Sequence, residues 1–219
     1  MILSSITKKL IISLSGLFLL VFIAMHLVLN LTAICSREWY EAVCEFMDTN
    51  IAIKLMVPVL ALGFVVHLAF ATAFEFKNWA ARPRELKYAV ATHTKGVSWS
   101  AKNMFILGVV VILGIALHLV NFWSKMQLQG FLGNEEENAY DLVVNLFSCK
   151  CFVLIYVVWI IAIFFHVQHG FWSAFQSIGL NNSKWLPRLQ CLAKVYAWII
   201  LIGYLAIPIC FHFGLQCSC

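Results

Sequence analysis

Apolar residues along this chain come in five long blocks, roughly 10–34, 52–74, 103–124, 151–175 and 191–213, separated by short polar stretches. Each block reaches or exceeds the roughly 20 residues a helix needs to cross about 30 Å of hydrocarbon. The pattern predicts an all-α integral membrane protein with five transmembrane helices and a single domain over 1–219. The first block is too long for the apolar core of a secretory signal and has no clean small-residue cleavage site after it. It is expected to remain as the first span.

Composition strengthens this picture. The chain is 63% hydrophobic and 11% charged, where a soluble domain carries about a quarter charged residues. Its 219 residues suffice for the spans but leave no room for a further soluble catalytic domain. There is no Rossmann glycine fingerprint, P-loop or HExxH motif, no low-complexity tract and no convincing repeat. The net charge of +5 is split among short loops and is not the footprint of a nucleic-acid partner.

Charge also orients the spans. Lys8 and Lys9, then Lys77, Arg82, Arg84, Lys87, Lys95 and Lys102, then Lys184, Arg188 and Lys194 fall on one side of a five-span chain. The opposite side has only Arg37, Lys54, Lys125 and Lys150, with most of the acids. Eleven basic residues against four predict a cytoplasmic N-terminus and an external C-terminus.

Six of the seven histidines lie in or at the end of a span: His26, His67, His118, His166, His169 and His212. Ionisable groups at such depth are functional candidates. His26 lies about 25 Å along its outward-running span and His118 about 24 Å along its own. His67 precedes the inner end of its span by about 12 Å, and His166 lies about 24 Å along a span that begins outside. Antiparallel threading therefore sorts four histidines into an outer pair and an inner pair. Two imidazoles facing each other across a helical bundle are suited to the two axial positions of haem b, so two pairs imply two haems. Gly63, Gly114 and Gly170 each stand four residues from a histidine on the same helix face, where a planar macrocycle needs room. Close helix packing would also favour glycine there, and a proton relay or interhelical hydrogen bonding would also use the histidines.

The stretches MHLVLN (25–30), VVHLAF (65–70), GIALHLVNFW (114–123) and FHVQHGFWSAFQSIG (165–179) resemble the ligand segments of the dihaem cytochrome b subunits of succinate:quinone and fumarate:quinol oxidoreductases. The resemblance runs from KKL at 8–10 through the last span. It implies a four-helix dihaem bundle with a fifth helix packed alongside, in a bacterial cytoplasmic membrane. It also implies an outer haem on His26 and His118 and an inner haem on His67 and His166, with the histidine four before Gly170 favoured over His169. A flavoprotein and an iron–sulfur subunit are the implied cytoplasmic partners. Basic segments at 81–88 and 98–104 would dock them, and quinone, commonly menaquinone, would be the membrane substrate. If that site lies beside the outer haem, Glu45 and Asp48 are the nearest acids to accept protons from quinol.

The cysteines depart from this family picture. Cys35, Cys44, Cys149, Cys151, Cys217 and Cys219 are all expected outside, where disulfides persist in an oxidising compartment. Cys191 and Cys210 are expected to be buried thiols. Paired outer cysteines suit a quinone-coupled thiol oxidase, which would leave the histidine layers unexplained. The haem b subunit of a hydrogenase or nitrate reductase would distribute its ligands differently among helices. A transporter would have no reducible chromophore.

Overall fold

The computed structural model describes residues 4–80 and 98–215. The basic segment 81–88, His93, Cys217 and Cys219 lie outside the described residues.

Polar single-residue joints set the early helix boundaries. Helix α1 (Ser5–Cys35) begins after Ser4, whose hydroxyl accepts the Thr7 N–H and satisfies an amide that a first turn leaves open. Ser36 ends α1 and caps α2 (Arg37–Thr49) by accepting the Trp39 N–H. Asn50 ends α2 and accepts from the first amides of α3 (Ile51–Ala80). The single turn α4 (Trp99–Lys102) leads into α5 (Met104–His118), which continues as a π-helical segment over Leu119–Trp123. Helices α6 (Gln127–Leu132) and α7 (Ala139–Ser148) connect it to α8 (Lys150–Ser177), and α9 (Trp185–Phe213) closes the fold.

Five of these elements, α1, α3, α5 with its π segment, α8 and α9, are long and apolar enough to cross a membrane. The protein is thus a multi-pass, all-helical membrane protein, and the described residues contain no strand. The helices overrun the apolar blocks by a few residues, most clearly at Ala80 and Trp185.

The fifth span is more central than a helix merely packed alongside. Helices α8 and α9 form the most extensive interface, and α1 packs against both. Ala193 and Ala197 are fully buried and Ile200 almost so; small residues let membrane helices approach closely. The Tyr196 and Tyr204 hydroxyls donate to the Leu20 and Ile23 carbonyls of α1 at 2.5 and 2.9 Å. Helix α3 packs on α1 and α5 packs on α8. No residue of α3 is buried.

The connections at one end of the bundle are structured. Helices α2 and α7 bring Tyr40, Val143 and Phe147 into a buried layer with Ala33, Tyr156 and Phe211. Arg37 pairs with Glu41 of its own helix at 2.9 Å and ties α2 to α7 through Asp141 at 3.0 Å. The His212 ring meets the Phe147 carbonyl at 2.9 Å through Nδ1, fastening the end of α9 to α7.

The cysteine expectations fare unevenly. Cys35, Cys44, Cys149 and Cys151 are all free thiols. Cys191 is exposed and Cys210 half-buried, so neither is the fully buried thiol expected. An apolar surrounding in sequence does not identify the inward face here, because lipid accepts the outward face equally well.

Candidate cofactor site

The four span histidines come from four different helices. His26 of α1 and His118 of α5 meet with ring centroids 5.8 Å apart and planes at 88°. Phe22 stacks on His26 at 5.3 Å, with Tyr204 at 6.3 Å. Phe122, Trp159 and Tyr156 stand 5.0, 5.7 and 6.3 Å from His118. Tyr156 also belongs to the buried layer formed with α2 and α7, which places this histidine pair toward that end.

The local backbone at His118 is unusual. The π-helical segment starts at the next residue, and the Ser124 N–H reaches back to the Leu119 carbonyl at 2.8 Å. Such widened turns concentrate at functional sites. Within this one, Asn121 Nδ2 donates to the Tyr156 hydroxyl at 3.2 Å, fixing a ring beside His118.

His67 sits on a seat provided by α1. Its Nδ1 lies 3.2 Å from the Ile12 carbonyl and 3.3 Å from Ser15 Oγ. A proton on Nδ1 donated to the carbonyl leaves Nε2 with its lone pair, the arrangement that orients a ligating histidine. A Cβ on Gly16 would stand 3.2 Å from His67 Cε1, so the small residue admits the imidazole. His166 lies within electrostatic reach of His67 and His169. Across from it, a Cβ on Gly108 would meet His166 Cε1 at 3.8 Å. His169 lies edge-on to Trp172 at 4.8 Å.

These positions form two levels. On α1, the His67 seat (Ile12 to Gly16) and His26 are separated by ten to fourteen residues, or about 15–21 Å along the axis.

The residues fit haem b. Nδ1 of His118, of His166 and of His169 is buried with no hydrogen-bond partner. No protein group thus competes for these rings, and each remains free to present a nitrogen to a bound group. Helices α3 and α8, which bear His67 and His166, do not form an extensive interface with each other. Among the described residues no three His, Cys, Asp or Glu side chains converge as a metal cage. Two imidazoles at each level instead suit a macrocycle that brings its own in-plane donors.

The predicted glycines meet different neighbours. A Cβ on Gly114 would fall 2.0 Å from the Trp159 ring, and one on Gly63 2.8 Å from Phe18. At Gly170 the nearest atom is the end of Met104, at 3.5 Å. Trp159 is itself held by donation from Nε1 to the Val111 carbonyl at 3.0 Å. Of the two acids, Asp48 is half-buried and accepts from Gln127 Nε2 at 2.6 Å, while Glu45 is exposed. The His67 seat, the π segment, Trp159 and Tyr204 have no local sequence signal that would single them out. Each depends on residues far apart in the chain.

No family model and no solved structure matches this chain. Among curated proteins, the succinate dehydrogenase cytochrome b558 subunit of Bacillus subtilis (strain 168) is 22% identical over 186 residues, covering 84% of this chain and 83% of the relative. A likeness of that extent bears out the resemblance to membrane-anchor cytochrome b subunits carried by the four histidine-bearing spans.

Proposed function

We propose that the chain is the membrane subunit of a succinate dehydrogenase or quinol:fumarate reductase, moving electrons between an iron–sulfur subunit and membrane quinone, in the first instance menaquinone. The observation that carries this reading is the placement of two histidine pairs at two levels of one bundle. Bound at the two levels, haem b supplies a reversible one-electron iron couple at each.

The chain's own part is to hold and shield. His26 and His118 would hold the haem of the outer level, and His67 and His166 that of the inner. The Ile12 carbonyl fixes the His67 tautomer. His166 is preferred to His169 because it lies across from Gly108 and within reach of His67. Phe22, Phe122, Tyr156, Trp159 and Tyr204 wall the outer pair from lipid and water. Gly114 and Gly63 give the Trp159 and Phe18 rings their places against the ligand helices, and Gly170 keeps its own face open but for the end of Met104. No flavin, iron–sulfur or dicarboxylate site is proposed in this chain, so fumarate or succinate chemistry belongs to its partners. The excess of basic residues in the N-terminal, 76–102 and 176–190 regions supports a cytoplasmic location for those partners, in a bacterial inner membrane with the C-terminus outside.

Membranes containing the complete complex test this assignment. Removing the chain should abolish succinate- or fumarate-linked quinone turnover and release the soluble subunits with their succinate–dye activity intact. Unchanged quinone-linked turnover without the chain would refute the assignment.

Quinol oxidation at the outer level needs a proton acceptor. Asp48, held by Gln127, is better placed than Glu45. Asp48→Asn is expected to lower quinol-linked fumarate reduction about 100-fold, the lower end for a lost general base, and Glu45→Gln to lower it less. Haem content and succinate–dye activity should persist in both. Full quinol-linked activity in both variants would move the acceptor elsewhere.

A further inference from the structure

The joint between α7 and α8 carries two exposed cysteines with one lysine between them, Cys149-Lys150-Cys151. Neither histidine level uses them. Cys149 is the N-cap residue of α8, with extended backbone at φ −86° and ψ 116°, and Lys150 is the first helical residue. The Cα separation of Cys149 and Cys151 is set by the backbone angles of Lys150 alone. Helical geometry makes it about 5.4 Å, inside the roughly 4.4–6.8 Å that disulfides span.

Both thiols stand at the exposed start of α8. The Phe152 and Cys151 N–H groups point toward the Cys149 sulfur, without closing a formal capping bond. These amides, with the neighbouring thiol, hold the Cys149 thiol below its ordinary range. Cys44 behaves in the opposite way: burial pushes its thiol up to about 11. An exposed, thiolate-prone cysteine with a second thiol two residues away has both parts that exchange chemistry needs, an attacking group and a resolving group.

We propose that Cys149 and Cys151 form a redox-active dithiol that exchanges with disulfides at the membrane surface. The Cys149 thiolate attacks one sulfur of an incoming disulfide. A mixed disulfide forms at Cys149, and the first thiolate leaves and takes a proton from water. Cys151 then gives its proton to water and attacks Cys149 Sγ. The Cys149–Cys151 bond forms and the second thiolate departs and is protonated. Two electrons pass from the cysteine pair to the incoming disulfide, and the chain becomes two hydrogens lighter.

The test uses the haem-loaded full chain in lipid nanodiscs, equilibrated with glutathione and glutathione disulfide at a series of ratios, acid-quenched, alkylated and analysed by peptide mass. Under oxidising ratios the peptide containing 149–151 should be unalkylated and two hydrogens lighter, and reducing ratios should reverse this. Cys151→Ser should trap glutathione on Cys149. Cys149→Ser, which leaves a good N-cap residue in place, should abolish the exchange. In the unoxidised protein, Cys149 should be alkylated faster than the exposed Cys35, as expected of a thiol with raised thiolate character. Complete alkylation of both thiols at every ratio would overturn the proposal. So would alkylation of Cys149 no faster than Cys35, or equal trapping of glutathione with and without Cys151. The haem spectrum of each variant reports that the bundle is intact.

Discussion

Replacing His67 or His166 with leucine should leave a protein that retains one b haem and has lost the inner one, and replacing His26 or His118 should remove the outer. The two levels draw on different side chains. His26 and His118 face each other at 5.8 Å, whereas His67 is seated on Ile12 and Ser15 far down α1. Loss of a first ligand is expected to exceed the roughly 10–100-fold cost of disturbing even an outer-shell partner. Quinone-linked turnover should therefore fall by more than about 100-fold in all four variants, with the soluble subunits still active toward dyes. His169→Ala should keep both haems. Haem-to-protein ratios and low-temperature spectra measure the outcome, and four variants that each keep two haems with unchanged spectra would contradict the ligand assignment.

The second large effect comes from a single methyl group. Gly114→Ala places a Cβ 2.0 Å from the Trp159 ring. The indole cannot simply swing aside, because its Nε1 is engaged by the Val111 carbonyl and its face lies 5.7 Å from His118. Overpacking of this kind costs about 1–3 kcal/mol, and the displaced ring lies directly beside an outer-level histidine. Gly63→Ala meets Phe18 at 2.8 Å, a tight contact with a ring that no side-chain hydrogen bond can hold. Gly170→Ala meets only the flexible end of Met104 at 3.5 Å. Thermal stability and outer-haem retention should thus fall most for Gly114→Ala, less for Gly63→Ala and least for Gly170→Ala. Equal tolerance of all three would show that Trp159 is free to move.

What could be foreseen from the sequence follows from how a bilayer selects residues. Hydrocarbon imposes a length and a composition on every crossing helix, so the five spans stand out at once. Histidines are conspicuous against that background because few polar groups are tolerated there. Lipid, however, is as apolar as a protein core, and a span that is apolar all round does not announce its inner face. Cys191 is exposed for this reason, and the central position of α9, with Ala193 and Ala197 buried, was not legible. The connections hid more. Helices α2 and α7 are short and read as polar loop, yet Tyr40, Val143 and Phe147 bury against the bundle end. The seat of His67 joins residues more than fifty positions apart, beyond the reach of any local pattern.

The haem content of the purified chain tests the central claim most directly. A pyridine haemochrome assay against protein mass, with a redox titration of the reduced-minus-oxidised spectrum, should find two b haems per chain that titrate as two one-electron components. A chain that folds with its five spans and binds one haem, or none, would contradict the assignment of His26, His67, His118 and His166 as two axial pairs.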